Sequence, residues 1–290
     1  MTVKQATILA SEVRMMKSKV TGRNYRISIA LPYAYFNSRD KSWPFDKPLE
    51  KWPVVYLTDA NFYFGMVTDM VRSMAWCGGT TDAIIVGIGY VQDKDPKEAW
   101  RDAAVWRSSD LLPVQIEEIE QEESKLHNRK VVTGGAGKFL QFIKQELIPA
   151  VESEFKADPK NRILVGHSDG GVFTAFALFE EPGLFENYIV GSPGLVTTGI
   201  LEQEEQFSKR HKKLSAKVHL WVGESEESAN DPKVSNIFRF GAILENRKYT
   251  GLSLVRQIFA NENHCEVIAP GFQAGLKMAL KVSTIGTNHP

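Results

Sequence analysis

The sequence predicts an α/β protein: a mostly parallel central sheet flanked by helices, with antiparallel strands at its N-terminal end. Three observations carry this. Short runs rich in branched apolar residues recur at 53–58, 83–89, 162–167, 188–192, 218–222 and 252–259. Stretches of helical length lie between them. Near the N-terminus the pattern changes to alternation, clearest in Tyr25-Arg26-Ile27-Ser28-Ile29-Ala30-Leu31. Runs that are apolar throughout suit parallel strands covered on both faces, and alternation suits antiparallel ones. Strands alternating with helices need crossover connections.

In chain order, residues 6–20 and 24–31 read as an antiparallel pair, closed by Pro32. Residues 37–52 read as a polar loop carrying Trp43, Phe45 and Trp52. Pro53 to Thr58 is a buried strand leading into Asp59-Ala60-Asn61, and 65–76 is a helix. Ala83 to Gly89 is a second buried strand. Residues 91–137 break the rhythm with charged, irregular sequence, including Trp100-Arg101-Asp102, Trp106-Arg107-Ser108-Ser109-Asp110 and an acidic run over 117–123. Such a long connection is a lid, a binding loop or a disordered segment; the acidic run reads as a solvated helix face. An amphipathic helix follows from Phe139 to about Phe155. Beyond the segment at 162–177, Tyr188 to Ser192 is a strand, 199–213 a polar helix, Val218 to Val222 a strand and 233–247 a helix. Leu252 to Phe259 is the last strand, and 265–281 the last helix. The expected organisation is one domain over 1–290 with a lid or binding-loop insertion around 91–137.

The most informative stretch runs from Arg162 to Ala177. A branched apolar strand turns abruptly at Gly166-His167-Ser168-Asp169-Gly170 and leaves as an apolar helix. A serine at the apex of so tight a turn needs neighbours without bulk, and Gly166 and Gly170 supply them. Gly171 allows the helix to pack against the sheet. A phosphate-binding loop usually carries a lysine after its last glycine, and Val172 stands there instead.

Composition narrows the classes of function. Hydrophobic residues make up 43% and charged residues 24% of 290, ordinary for a globular protein with a sizeable core. The formal net charge is +0, so no electrostatic case exists for nucleic acid or an anionic membrane. Cys77 and Cys265 lie far apart and form no Cys-x-x-Cys motif, which points to a reducing compartment. The first twenty residues hold no apolar run of signal-peptide length, and no later segment is long enough to span a bilayer. The expected setting is cytoplasmic, without membrane attachment.

A serine needs a base at neutral pH. In the α/β-hydrolase arrangement the order along the chain is nucleophile, acid, histidine. His127 precedes the serine; His167 is beside it on the turn and packs beneath it. His211 lies in the basic end of a helix, His219 inside a strand, and His289 next to the C-terminus. His264 is left, in a polar loop directly after the last strand, where such sheets place their chemistry. The acid is expected after the preceding core strand, where Glu224, Glu226 and Glu227 crowd. Glu226 is preferred; Glu224 and Asp231 are alternatives, and a Ser-His dyad is another. The oxyanion hole should use the backbone N–H groups of Asp169 and Asn61.

Several segments together resemble the putative-esterase family of α/β-hydrolases, which includes esterase D, the trilactone siderophore esterases and the mycolyltransferases. They are Thr21-Gly22-Arg23 with Tyr25-Arg26-Ile27, Val55 to Asn61, Val86 to Tyr90, Arg107 to Pro113, Gly134 to Leu140, Gly166 to Phe173, Ser192-Pro193 and His264-Cys265-Glu266-Val267. The siderophore-esterase branch is the nearest likeness. The resemblance implies a serine carboxylic-ester hydrolase without metal or cofactor, acting on a small-molecule ester, with Ser168 as nucleophile, His264 as base and Glu226 as acid. Cys265 replaces the family's usual glycine and is expected to be a buried small side chain.

The leading expectation is therefore an esterase working through an acyl-enzyme. Acyl transfer to an alcohol and a non-catalytic binding protein are the alternatives. Phe62, Trp106 and Arg107 are candidate substrate contacts, with Trp43, Phe45 and Trp100 as further aromatic walls. The competing reading for Arg101 and Arg107 is pairing with Asp102 and Asp110.

Overall fold

The computed structural model describes residues 6–35, 49–91, 95–229 and 231–282. The expectations for Trp43, Phe45 and His289 fall outside these residues.

The antiparallel entry is β1 (Ser11–Lys17) and β2 (Asn24–Ala30), paired with Tyr25 opposite Met16 and Ile27 opposite Arg14. Then come β3 (Trp52–Leu57), α1 (Ala60–Trp76) and β4 (Ile84–Tyr90). Strand β2 is antiparallel to β4 as well, and every later pairing is parallel. Trp52, expected in a loop, opens β3 and is buried, because the strand extends to pair it with Ala157.

Residues 91–137 depart most from expectation. Their described residues hold α2 (Pro96–Leu111) and α3 (Glu117–His127), joined and followed by short loops. Asp95 caps α2, accepting from the N–H of Lys97 at 3.0 Å, and Pro96 occupies the first turn. A capping Asp followed directly by Pro is a legible helix start. The acidic run supplies the outer face of α3 only in part: Glu117, Glu118 and Glu122 are exposed, whereas Glu120 accepts from Thr133 and Glu123 from Ser108. After α4 (Ala136–Phe142), a π-helical turn over Ile143–Leu147 and α5 (Ile148–Glu154) comes β5 (Ala157–His167). The rest is α6 (Asp169–Glu180), β6 (Asn187–Gly191), α7 (Ile200–Arg210), β7 (Lys213–Gly223), α8 (Lys233–Arg247), β8 (Thr250–Phe259) and α9 (Ile268–Ala279).

The sheet order is β1-β2-β4-β3-β5-β6-β7-β8. Successive side chains on a strand face opposite ways, so the apolar runs feed two cores at once. Val54, Tyr56, Leu164, Tyr188, Val190 and Leu220 pack on one face, with Phe139, Phe173 and Phe240 from the helices. Val55, Leu57, Ile163, Val165, Ile189 and Trp221 pack on the other, with Val67 and Val71 of α1 and Phe272 and Leu276 of α9. This explains why those strands carry no polar alternation. It also sends the carboxyl ends of β3, β5, β7 and β8 to one edge, where the loops converge. Among the described residues no helix is long and apolar enough to cross a membrane.

Candidate active site

Strand β5 ends at His167, and α6 begins at Asp169. Ser168 between them has φ 59° and ψ −122°, a conformation costly for a side-chain-bearing residue. The surroundings enforce it. The N–H of Ser168 donates to Gly191 O at 2.9 Å, and its carbonyl accepts from Val172 N–H at 2.9 Å. A Cβ on Gly166 would sit 2.0 Å from the Gly170 carbonyl oxygen, and one on Gly171 2.3 Å from that of Gly191. The glycines are therefore steric necessities of the turn. The amide of Asp169 opens α6, where first-turn N–H groups have no intrahelical acceptor and the helix dipole is positive.

His264 lies in the loop after β8. Asn263 Oδ1 shapes that loop by accepting from the N–H groups of Cys265 at 2.9 Å and Glu266 at 3.1 Å. His264 Nδ1 lies 2.5 Å from Glu226 Oε2. Glu226 ends a short 3-10 turn after β7 and is almost wholly buried. Its other oxygen accepts from Ser192 Oγ at 2.7 Å and from Gly223 N–H at 2.9 Å. Burial alone pushes this carboxyl up; the hydrogen bonds from His264, Ser192 and Gly223 outweigh it and hold it at about 2. An ionised carboxylate only accepts, so the shared proton belongs to Nδ1 and Nε2 is left with its lone pair.

The neighbouring acids are occupied elsewhere. Glu224 Oε2 accepts from Asn261 N–H at 2.9 Å, and Glu227 binds the N–H of Ser235 at 3.0 Å. Asp231 faces Lys233 at 3.5 Å.

Ser168 and His264 line one cavity of about 320 Å³. No hydrogen bond joins Ser168 Oγ to the imidazole among the described contacts. Before substrate binds, such bonds are often long, and they tighten in the complex. His167 lines the same cavity and is buried beneath the turn, stacked on Trp221 at 5.3 Å with its ring centre 4.5 Å from that of His264. Burial, then the neighbouring imidazole, pulls His167 down to about 3, so it is neutral.

Asn61 is in the first turn of α1, and its side chain is spent on β4: Nδ2 donates to Tyr90 O at 2.9 Å, and Oδ1 accepts from Tyr90 N–H at 2.7 Å. Its first-turn amide has no acceptor within the helix. Phe62 and Arg107 line the cavity. Trp106 does not. It lies on the far side of α2 with Arg23 over its ring at 4.5 Å. Trp100 lines the cavity, with Ala103, Ala104, Arg107 and Ser108, all on one face of α2. Glu123 and His127 of α3 complete that wall; His127 is buried against Trp100 at 5.2 Å.

Two further expectations need correction. Cys265 is exposed and lines the cavity rather than being buried, because its loop turns outward on the Asn263 side chain. Arg107 pairs with neither Asp102 nor Asp110. It binds Asp59, at 2.8 Å from Nε and 3.2 Å from Nη2, and also Asp169. Asp110 is held by Arg23 and, at 2.9 Å, by Tyr25 Oη; Arg101 binds Glu98 at 2.7 Å. Among the described residues no group of three or more His, Cys, Asp or Glu side chains is placed to hold a metal ion.

The chain is 30% identical over 285 residues to the ferri-bacillibactin esterase BesA of Bacillus subtilis, covering 94% of this chain and 91% of that protein. The crystal structure of a BES protein from Bacillus cereus superposes with a TM-score of 0.77 at 28% identity, over 97% of this chain and 99% of that one. A siderophore hydrolase, EstB, from Aspergillus nidulans shares the fold, with a TM-score of 0.74 at 24% identity over 96% and 98% of the two chains. Residues 18–241 match the profile of the family described as putative esterase. The chain belongs to that putative-esterase family.

Proposed function

We propose that Ser168, His264 and Glu226 form a catalytic triad that hydrolyses the ester bonds of a siderophore-type substrate through an acyl-enzyme. The observation that carries this is the buried, ionised Glu226 bonded to His264 Nδ1, with the imidazole facing the cavity that holds the serine at its strained turn.

In this reading Ser168 Oγ attacks the ester carbonyl carbon while its proton passes to His264 Nε2. Charge collects on the carbonyl oxygen, which the amides of Asn61 and Asp169 receive. The carbon–alkoxide bond breaks, and the departing alcohol takes the proton from His264. Water then attacks the acyl-enzyme by the same route, releasing the carboxylic acid and restoring the serine. Glu226 keeps the imidazole in its productive tautomer and stabilises the imidazolium without itself becoming protonated.

The substrate class rests on the similarity to BesA, named for ferri-bacillibactin. The aromatic wall of Phe62, Tyr63, Tyr90 and Trp100 suits an aromatic acyl or aryl group. We further propose one domain in which α2 and α3 cap the site. A cytoplasmic setting is supported by the two free, exposed thiols of Cys77 and Cys265.

The test uses the purified protein beside Ser168→Ala, with p-nitrophenyl butyrate and a catecholate trilactone. Wild type should release p-nitrophenol and linear trilactone fragments, and a fluorophosphonate should label Ser168 alone. Equal release by the Ser168→Ala variant would overturn the assignment.

A further inference from the structure

We infer that the α2–α3 wall of the cavity is a binding site for an alkylammonium group, built by Glu123 and His127, so that the ester this chain takes carries a free amine on the part that reaches α3. This rests on the proposed reading of the cavity as the ester site of Ser168, and narrows that reading to one class of substrate.

Glu123 and His127 stand four apart in α3, and both line the cavity. Residues at that spacing share one face of a helix, with Cβ atoms about 5–6 Å apart. Ser108 of α2 is only 2% exposed, and its hydroxyl donates to Glu123 Oε2. That bond fixes the carboxylate from one side. The other oxygen, Oε1, accepts no hydrogen bond among the described residues, and no lysine or arginine among them pairs with Glu123. Arg107, the cation that lines the cavity, already faces Asp59 and Asp169. Arg101 binds Glu98 at 2.7 Å, and Arg129 binds Glu98 and, at 3.5 Å, Asp102.

His127 is the second group without a polar partner. It is 4% exposed, packs on Trp100 with ring centres 5.2 Å apart, and makes no hydrogen bond among the described residues. A neutral imidazole keeps one acceptor nitrogen. A buried polar group left unmatched is unfavourable, and a ligand in the cavity would match it.

A structural tether between α2 and α3 explains less. One accepting oxygen is enough to hold Ser108, and a glutamine would supply it without a charge. The negative charge, half-buried and without a cation, is the part that a tether does not use. The wall presents a carboxylate oxygen, an imidazole and the indole ring of Trp100. An ammonium group suits all three, with several N–H donors, a charge to pair with Glu123 and an attraction to an aromatic face. A neutral hydroxyl would fill one acceptor and leave the charge uncompensated. A carboxylate or phosphate would meet like charge instead.

The experiment compares three esters in wild type, Glu123→Gln, His127→Phe and Ser168→Ala at low ionic strength. They are p-nitrophenyl 6-aminohexanoate, the heptanoate, in which a methyl group replaces the ammonium, and the adipate monoester, which ends in a carboxylate. Wild type should favour the ammonium ester over the carboxylate ester by at least about 30-fold in kcat/KM, and added salt should erode that preference. Glu123→Gln can keep the bond to Ser108. It should lower the ratio of kcat/KM for the ammonium ester to that for the heptanoate about 10- to 30-fold. His127→Phe keeps a ring against Trp100 and should lower the same ratio about three- to tenfold. Titration calorimetry with hexylammonium reads the site without turnover, and binding should weaken at least about tenfold in Glu123→Gln.

A ratio within about threefold of wild type in Glu123→Gln would overturn the inference. So would an equal loss on all three esters, the mark of a tether alone. If Glu123→Gln does not melt cooperatively, wild type decides by itself: hexylammonium bound no more tightly than 1-hexanol, or an adipate ester cleaved as well as the ammonium ester, would also sink it. Hydrolysis of the heptanoate by Ser168→Ala at the wild-type rate is a different result. It would overturn the nucleophile assignment, while the calorimetric test of Glu123 would still stand.

Discussion

Glu226 Oε2 lies 2.5 Å from His264 Nδ1, and Lys233 Nζ stands 3.7 Å from the same oxygen. The carboxylate thus meets the imidazole from a buried seat built by β7 and Ser192, while the histidine is delivered by the loop after β8. Neither partner can move far without breaking other bonds. Replacing Glu226 with Gln should keep the shape but allow an amide to donate to the ring and favour the wrong tautomer. The expected loss in kcat is about a thousand- to ten-thousand-fold with little change in KM, measured on p-nitrophenyl butyrate. A loss below tenfold would mean that Ser168 and His264 suffice as a dyad.

Ser192 is fully buried and donates to Glu226 Oε1 at 2.7 Å. Ser192→Ala leaves the carboxylate with Gly223 N–H and His264 as partners. The expected cost is about 1–2 kcal/mol of stability, read by urea melts. Because the remaining bonds still orient Glu226, kcat should fall by only about three- to tenfold.

Much of this site could be read from the chain, and the part that could not has a physical cause. The strands that lead into Asn61, Ser168 and Glu226 announce themselves because they are buried on both faces and so apolar throughout. His264 reads as the candidate base because it lies in a polar loop after the last core strand. Helix α2 stayed hidden because Arg107, Ser109 and Asp110 are polar residues held inward by partners far away in sequence. Local periodicity cannot show a buried polar face whose compensation is Arg23, Asp59 or Asp169. Once the Asp95-Pro96 start is recognised, helical spacing puts Trp100, Ala103, Ala104 and Arg107 on one side and Trp106 on another, as the cavity lining shows.

His167 couples the fold to pH. Its imidazole is buried, stacked on Trp221 and pulled down to about 3. The unfolded chain binds a proton there near pH 6.5 and the folded one does not. Above that pH both forms are neutral, and the residue makes no pH-dependent contribution. As pH falls from about 6.5 towards 3 the unfolded state gains a proton and stability is lost. His167→Phe keeps a ring for the stack and cannot titrate. Thermal melts between pH 7 and 4 should show a shallower acid-side decline for this variant than for wild type; identical slopes would contradict the assignment.

Arg23 and Asp110 give the opposite sign. Asp110 is 1% exposed, and burial lifts its carboxyl to about 6 despite the bonds from Arg23 and Tyr25. Arg23 also donates to Ser109 Oγ at 2.9 Å and lies over Trp106, so this one side chain docks α2 onto the start of β2. Arg23→Ala removes the cation and leaves the buried carboxylate uncompensated, which typically costs about 3–5 kcal/mol. A carboxyl whose folded value is raised stabilises most below its unfolded value, near 3.8, and loses that contribution as pH rises through about 6. In the variant Asp110 can escape the penalty only by taking a proton. The deficit relative to wild type should therefore be large at pH 8 and smaller at pH 5, by urea melts at the two values. A deficit that is equal at both, or larger at pH 5, would show that Arg23 acts through its packing on Trp106 rather than through its charge.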